Sequence, residues 1–415
     1  MAAYDVIVIG GGAAGMFSAA AAAFAGSSVL LLEKTERLGW KLSITGKGRC
    51  NVTNHCSPED VLKNVPTNPR FLFSVMDRFP PEKVMAAFEA MGVPLKTERG
   101  NRVFPVSERA GDVVSALKRN MERAGVQCRH EAVTGLLIEA GSIAGVTTME
   151  RRYLAPSVIL ATGGKSYPRT GSSGDGYRLA EQAGHTVTPI SGSLVPLELA
   201  GGDCRRLQGL SLRNVGLKLW GKGKKPVYED FGEALFMPYG MSGPIILSAS
   251  AHMDEKKGPF TLELDLKPAL DEKKLDARLL RDFAEKQNET VYEGIRGLLP
   301  RDMVPLILDR AEIPTGTPVH EITKEQRRRL LDTLKHLRFF VAGKRPVEEA
   351  IITHGGVKVS EVDPKTMESK KCPGLYFAGE ILDLDAYTGG FNLQIAWATA
   401  HAAGTSCGKK DESVL

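Results

Sequence analysis

Gly10-Gly11-Gly12-Ala13-Ala14-Gly15 follows directly on the run Tyr4-Asp5-Val6-Ile7-Val8-Ile9. Glycines at this spacing suit a pyrophosphate. Gly10 permits a tight turn, Gly12 lets the backbone approach the phosphates, and Gly15 lets a helix close on a sheet. Eighteen residues past Gly15, Glu33 offers a carboxylate to a ribose 2′-hydroxyl and would repel a 2′-phosphate. Toward the other end of the chain, Ala378-Gly379-Glu380 and Gly389-Gly390 again pair glycine with a carboxylate. Two groups could move protons. Cys50 stands beside Arg49, whose charge should lower a neighbouring thiol's pKa, and His354 precedes Gly355-Gly356. Each also has a plainer reading: a small buried cysteine that fills space, and a histidine that holds a turn.

These residues need elements to position them. The apolar run reads as a buried parallel strand, Met16 to Ala25 as a helix of small residues, and Ser28 to Leu32 as a second strand. The helix N-terminus then offers free N–H groups and positive dipole to phosphates. Arg37 to Asn54, rich in glycine and polar donors, reads as a long ordered loop. Helices are expected at Pro69–Arg78, Pro81–Met91 and Ala110–Ala124. Val126–Cys128, Ala132–Glu139 and Ile143–Thr148 read as a small meander, and Val158–Ala161 as a buried strand ending in Thr162-Gly163-Gly164. From about Ser191 the chain turns β-rich, and Leu270–Arg310 and Lys324–Leu337 read as helical. Leu375–Glu380 is a strand, Thr388–Gln394 opens a final helix, and Lys409 to Leu415 read as a frayed tail.

The 415 residues suffice for two or three domains, and the net charge of +5 is only a mild basic excess. Six scattered cysteines with no CxxC pair point to reduced thiols in the cytoplasm, with no metal site. No stretch is long and apolar enough for a membrane.

NAD-dependent dehydrogenases share the opening motif, but the C-terminal strand argues for non-covalent FAD. Glu380 can meet ribityl hydroxyls, and the Gly389-Gly390 helix start can aim N–H groups at the flavin N1/C2=O edge. Three blocks now resemble the bacterial BaiN-like (YhiN-like) flavoproteins: Asp5–Gly15, Gly39–Asn54 with its Gly-Arg-Cys-Asn, and Gly374–Gln394. Ala161–Gly164 and Glu233–Pro244 are similar too, so the resemblance spans nearly the whole chain. It implies an α/β fold: a Rossmann-like FAD domain of the glutathione-reductase type, over 1–192 and 346–415, interrupted by an insert over 193–345. The insert would be a β-barrel, about 193–268 and 337–345, with a helical subdomain at about 269–336. Carried onto this chain, the resemblance implies cofactor contacts from Gly10, Gly12, Ala13, Ala14, Gly15, Glu33 and Lys34. It adds Lys41, Gly48, Arg49 and Asn51 from the donor-rich loop, then Val133, Ala161, Thr162 and Gly163. Gly379, Glu380, Asn392, Leu393 and Gln394 close the set. In one respect the chain departs from the family, since Lys47 replaces the middle of three glycines before Arg49. The Gly174-Asp175-Gly176 loop also resembles fumarate-reductase-type flavoproteins, which place a mobile cap over the flavin.

The resemblance further implies an oxidoreductase supplied by NAD(P)H. The insert has no second glycine pattern for a nucleotide, so the donor would visit transiently. The expected reaction is reduction of a polarised C=C bond, with hydride from the flavin and a proton from Cys50, Arg49 assisting, or from His354. The family has been associated with two acceptors, a small-molecule enone of steroid type and a uracil base of ribosomal RNA. Basic clusters at Lys222-Lys224-Lys225 and at Arg327-Arg328-Arg329 with Lys335, His336 and Arg338 could meet a phosphate backbone, which alone favours RNA, although a solvated face is the plainer reading of each. Two other classes stand beside this one, a flavin-holding ribosome-associated protein without turnover and an oxidase. A Cys50–Cys56 redox pair is a further option, with five residues intervening.

Overall fold

A computed structural model describes residues 3–407; the expected tail, Lys409 to Leu415, lies outside the described residues. The chain forms two units. One comprises the chain up to Ser193 and from Pro346 onward, the other Leu194–Arg345.

The first unit is built on a five-stranded parallel sheet. Its strands are β1 (Val6–Ile9), β2 (Val29–Leu32), β3 (Gln127–Arg129), β4 (Ser157–Leu160) and β5 (Leu375–Phe377), in spatial order β5-β4-β1-β2-β3. β1 and β2 are buried along their whole length, which is why they read as unbroken apolar runs. Helix α1 (Ala13–Phe24) and the C-terminal helix α2 (Phe391–Cys407) pack together through small residues. A Cβ on Gly404 would lie 2.5 Å from the Ser18 carbonyl oxygen, so that crossing tolerates only glycine. Trp397, fully buried, donates its indole N–H to the Val52 carbonyl at 2.9 Å and packs edge-on against Phe88.

Two local expectations change. The segment at 127–129 does not join the meander. The helix Ala110–Ala124, ended by Gly125 at φ +80°, returns the chain as a crossover, so Gln127–Arg129 pairs parallel with β2. The meander is Val133–Glu139, Ser142–Thr148 and Arg152–Leu154. The donor-rich loop carries a helix, Trp40–Gly48, broken at Thr45-Gly46-Lys47. Gly46 and Lys47 take φ of +58° and +59°. A left-handed lysine costs roughly 1–2 kcal/mol, partly offset by the greater chain entropy a glycine would lose. Lys47→Gly is therefore expected to stabilise the protein by about 0.5–1 kcal/mol. Thermal denaturation checks this, and a lower Tm for the variant would refute it.

The second unit is a closed barrel of six antiparallel strands. In spatial order they are Leu197–Leu199, Gly240–Ser242, Tyr228–Met237, Ser211–Trp220, Thr261–Asp265 and Leu337–Lys344. The short strand Gly240–Ser242 has no alternating pattern to announce it, and a Cβ on Gly240 would lie 2.0 Å from the Leu197 carbonyl oxygen. Helices Glu272–Glu285, Val291–Ile295, Val304–Arg310 and Lys324–Lys335 fill the span between the last two strands. They share one apolar core with the barrel, including Leu264, Leu279, Ile307, Leu330 and Phe339. No helix among the described residues is long and apolar enough to cross a membrane.

Candidate functional site

From β1 the chain crosses to β2 on one side, and β4 lies on the other, so the sheet reverses its winding direction beside β1. A crevice opens outside the carboxyl ends of the strands at such a point. Here it is a cleft open to solvent. Gly10, Gly12, Ala13 and Ala14 line it after β1, Glu33 and Lys34 after β2, and Ala161, Thr162 and Gly163 after β4. Gly379 and Glu380 follow β5, and Lys41, Val133, Asn392 and Leu393 complete the walls.

The opening glycines divide by task. Gly10 has φ +105°, and a Cβ there would sit 2.6 Å from the Ala161 carbonyl oxygen. A Cβ on Gly15 would sit 1.8 Å from the Gly10 carbonyl oxygen. The protein itself needs both. Gly12 has no atom within 4 Å of its would-be Cβ and gives α1 no side-chain cap. The uncapped start of α1 therefore adjoins open space suited to a pyrophosphate. Glu33 accepts from the N–H of Gly11 at 2.6 Å and of Thr35 at 2.8 Å, one bond to each carboxylate oxygen. Each oxygen keeps a lone pair for a ribose hydroxyl. The buried Oγ1 of Thr162, on the cleft's wall, has no partner among the described residues; Asn51, whose buried Oδ1 also has none, is not among the residues that line the cleft. A dinucleotide fits a cleft with these features.

Glu380 is the hub of the opposite end. Its Oε2 pairs with Lys41 Nζ at 2.6 Å, and its Oε1 accepts from Ser166 Oγ at 2.8 Å and from Thr353 N and Oγ1 at 3.0 and 2.9 Å. Ser166 and Thr353 carried no signal in the sequence, because only folding brings them to Glu380. Lys34 is tied to Ser173 and Asp175. Asn392 closes its own loop, bonding the Ala386 N–H at 2.9 Å and carbonyl at 2.6 Å. Gln394 is corrected as a cofactor contact. Its fully buried amide bridges Thr53 Oγ1 at 2.6 Å and the Phe79 carbonyl at 2.9 Å, and its N–H serves the Gly390 carbonyl. The double glycine also gains a structural task. Gly390, at φ +100°, packs on the Thr53 backbone, 2.4 Å from a would-be Cβ.

Cys50 and Arg49 require the larger correction. Cys50 is fully buried in the apolar core, and burial pushes its thiol up to about 12. Arg49, expected to lower it, instead pairs with Glu98 at 3.1 Å and Glu108 at 3.6 Å and lies 4.0 Å from the Phe104 ring. An enclosed thiol cannot hand a proton to a substrate, and a guanidinium so engaged is drawn away from the cleft. Cys50 and Cys56 are both free thiols. Gly48, with φ +82°, lies in the same turn with open space at its Cβ position. His354 contacts Asp385 at 3.1 Å. Among the described residues no group of His, Cys, Asp and Glu could hold a metal.

In the second unit the arginine cluster is largely neutralised. Arg327 pairs with Asp276 at 2.7 Å, Lys335 with Asp265 at 2.5 Å, and Arg338 with Glu263 at 2.7 Å. His336 shares Glu263 at 3.2 Å. Lys222, Lys224 and Lys225 are exposed.

A family model described as the HI0933-like protein Rossmann domain matches residues 4–406. The 3-dehydro-bile acid delta(4,6)-reductase of Clostridium scindens is 30% identical over 393 residues, 92% of this chain and 93% of that protein. The ribosomal RNA dihydrouridine synthase of Escherichia coli is 31% identical over 405 residues, 97% of each. Among solved structures, the 3-ketosteroid delta1-dehydrogenase of Sterolibacterium denitrificans shares the fold, with TM-score 0.52, 14% identity, and coverage of 98% of this chain and 99% of that one. A match that runs almost from end to end, through the insert as well as the Rossmann unit, leaves no room for a merely local likeness: the chain belongs to the HI0933-like protein family.

Proposed function

We propose that this FAD-dependent oxidoreductase reduces a carbon–carbon double bond conjugated to a carbonyl, with reduced nicotinamide as donor; a uracil base of ribosomal RNA is one acceptor with such a bond. One observation carries the reading. The two relatives align over more than nine-tenths of the chain, and a bile-acid Δ4,6-reductase and a dihydrouridine synthase perform the same bond change. Bound FAD would supply the hydride. The chain's part is to hold it: Gly12 and the start of α1 for the pyrophosphate, Glu33 for the ribose, and Glu380, steadied by Lys41, for the ribityl chain. A uracil would have to be splayed out of its stack to reach the cleft.

A small enone is the second reading. The internal pairing of Arg327, Lys335 and Arg338 favours it, because charges already matched by carboxylates do little for a phosphate backbone. Of the clusters singled out in the sequence, Lys222, Lys224 and Lys225 are exposed, and so is Arg328.

The donor is expected to use the flavin cleft in turn with the acceptor, because the second unit is an antiparallel barrel with helices rather than a second nucleotide fold. Under nitrogen, NADH or NADPH should bleach the yellow protein, and initial-rate plots should give parallel lines. Intersecting lines would overturn the shared cleft, and bleaching rapidly reversed by air would favour an oxidase. Dihydrouridine in ribosomal RNA should fall in a deletion strain. An unchanged level would transfer the assignment to the enone.

A further inference from the structure

We propose that His354 donates the proton that completes this double-bond reduction, and that Asp385, held by Ser193 and Thr67, positions it. The inference rests on the reductase reading and deepens it.

The strand Ile352–His354 pairs antiparallel with Ser191–Ser193. Along a strand, residues two apart share a face. Ile352 lines the cleft two residues before His354, and Thr353 between them holds Glu380 of the same cleft. Leu384, next to Asp385, also lines the cleft. The His354–Asp385 pair thus adjoins lining residues along the chain, and the His354 side chain is 37% exposed while that of Asp385 is only 1% exposed.

Asp385 is built to orient. Its Oδ1 lies 3.1 Å from His354 Nδ1, and its Oδ2 accepts from Ser193 Oγ at 2.6 Å. Thr67 Oγ1 stands 3.5 Å from the same ring nitrogen. Burial alone would raise this carboxyl, but the hydrogen bonds from His354, Ser193 and Thr67 outweigh it and hold the group below the usual carboxylate range. An ionised carboxylate can only accept, so it keeps the Nδ1 proton on the ring and makes Nε2 the exchanging nitrogen. Asp383, also facing His354, adds a second carboxyl to its surroundings. Cys50, the other candidate donor read from the sequence, is enclosed in the core.

The step balances. Bound reduced flavin would supply a hydride to one carbon of the C=C bond. The π electrons take the Nε2 proton of the imidazolium at the other carbon, and the neutral imidazole regains a proton from water. Reduced nicotinamide, the proposed donor, would return two electrons to the flavin.

Two measurements test this. In flavin-free protein, ¹⁵N shifts of His354 should show Nδ1–H, and Asp385→Asn should lose that signature. A retained Nδ1–H would overturn the positioning role. In the holoprotein reduced with dithionite, His354→Ala should slow reoxidation by the acceptor by about 10²–10⁴-fold. Added imidazole should restore part of the rate, and His354→Gln should behave as the alanine variant does without rescue. Reoxidation at the wild-type rate in both variants would sink the proposal. If the acceptor fails to reoxidise even the wild-type protein, the reductase reading fails instead, and the ¹⁵N result still judges the pair.

Discussion

Gly12→Ala is expected to purify as a folded protein that retains little flavin, and Gly15→Ala as a protein that is damaged before any cofactor binds. The two positions lie one turn apart in the same motif, yet their surroundings differ. A methyl on Gly12 meets nothing within 4 Å, so the flavin-free protein should lose no more than about 1 kcal/mol, the usual scale of an N-cap change. That methyl would occupy the space a pyrophosphate needs. Displacing the phosphates from the start of α1 should weaken flavin binding at least about tenfold, or roughly 1.4 kcal/mol. A methyl on Gly15 would overlap the Gly10 carbonyl oxygen at 1.8 Å, and that oxygen belongs to backbone that cannot rotate away. Overpacking of this kind costs about 1–3 kcal/mol or more, and Tm should fall by several degrees. Flavin absorbance per protein and the Tm of the flavin-free form separate the outcomes. Equal losses of Tm in the two variants would refute the division of tasks.

Lys41→Met should destabilise the flavin-free protein by about 3 kcal/mol, because it strands a buried carboxylate. Lys41 and Glu380 are 21% and 13% exposed, and their contact is 2.6 Å. Ser166 and Thr353 would still donate to Glu380, which places the cost at the lower end of the range for a broken buried pair. The double variant Lys41→Met with Glu380→Gln should recover most of the loss, since a neutral amide needs no counter-charge and its oxygen can still accept those hydrogen bonds. Denaturant unfolding of the wild type, both single variants and the double variant measures the coupling. Strict additivity would show that the ion pair contributes nothing.

The sequence by itself determined what depends on neighbours along the chain. The order strand, glycine turn, helix, strand and acid from Val6 to Glu33 was legible because each step rests on local sterics, as were the return of cofactor-type segments near Gly379 and the β-rich then helical insert. Lys47 stands where the family carries glycine, and the structure gives it the left-handed conformation a glycine would take freely.

Only the tertiary structure decided which side chains meet. Lys41 reaches Glu380 across 339 positions, and His354 finds Asp385 and Thr67 through three separate segments. It also decided what lies inside. Cys50 looked like a thiol activated by its neighbour, but burial raises it while Arg49 turns to Glu98. The arginine cluster looked free until Asp276, Asp265 and Glu263 arrived from other elements. The physical reason is common to all of these. Periodicity and turn chemistry report local backbone preference, whereas burial and charge pairing depend on which distant surface packs against a residue.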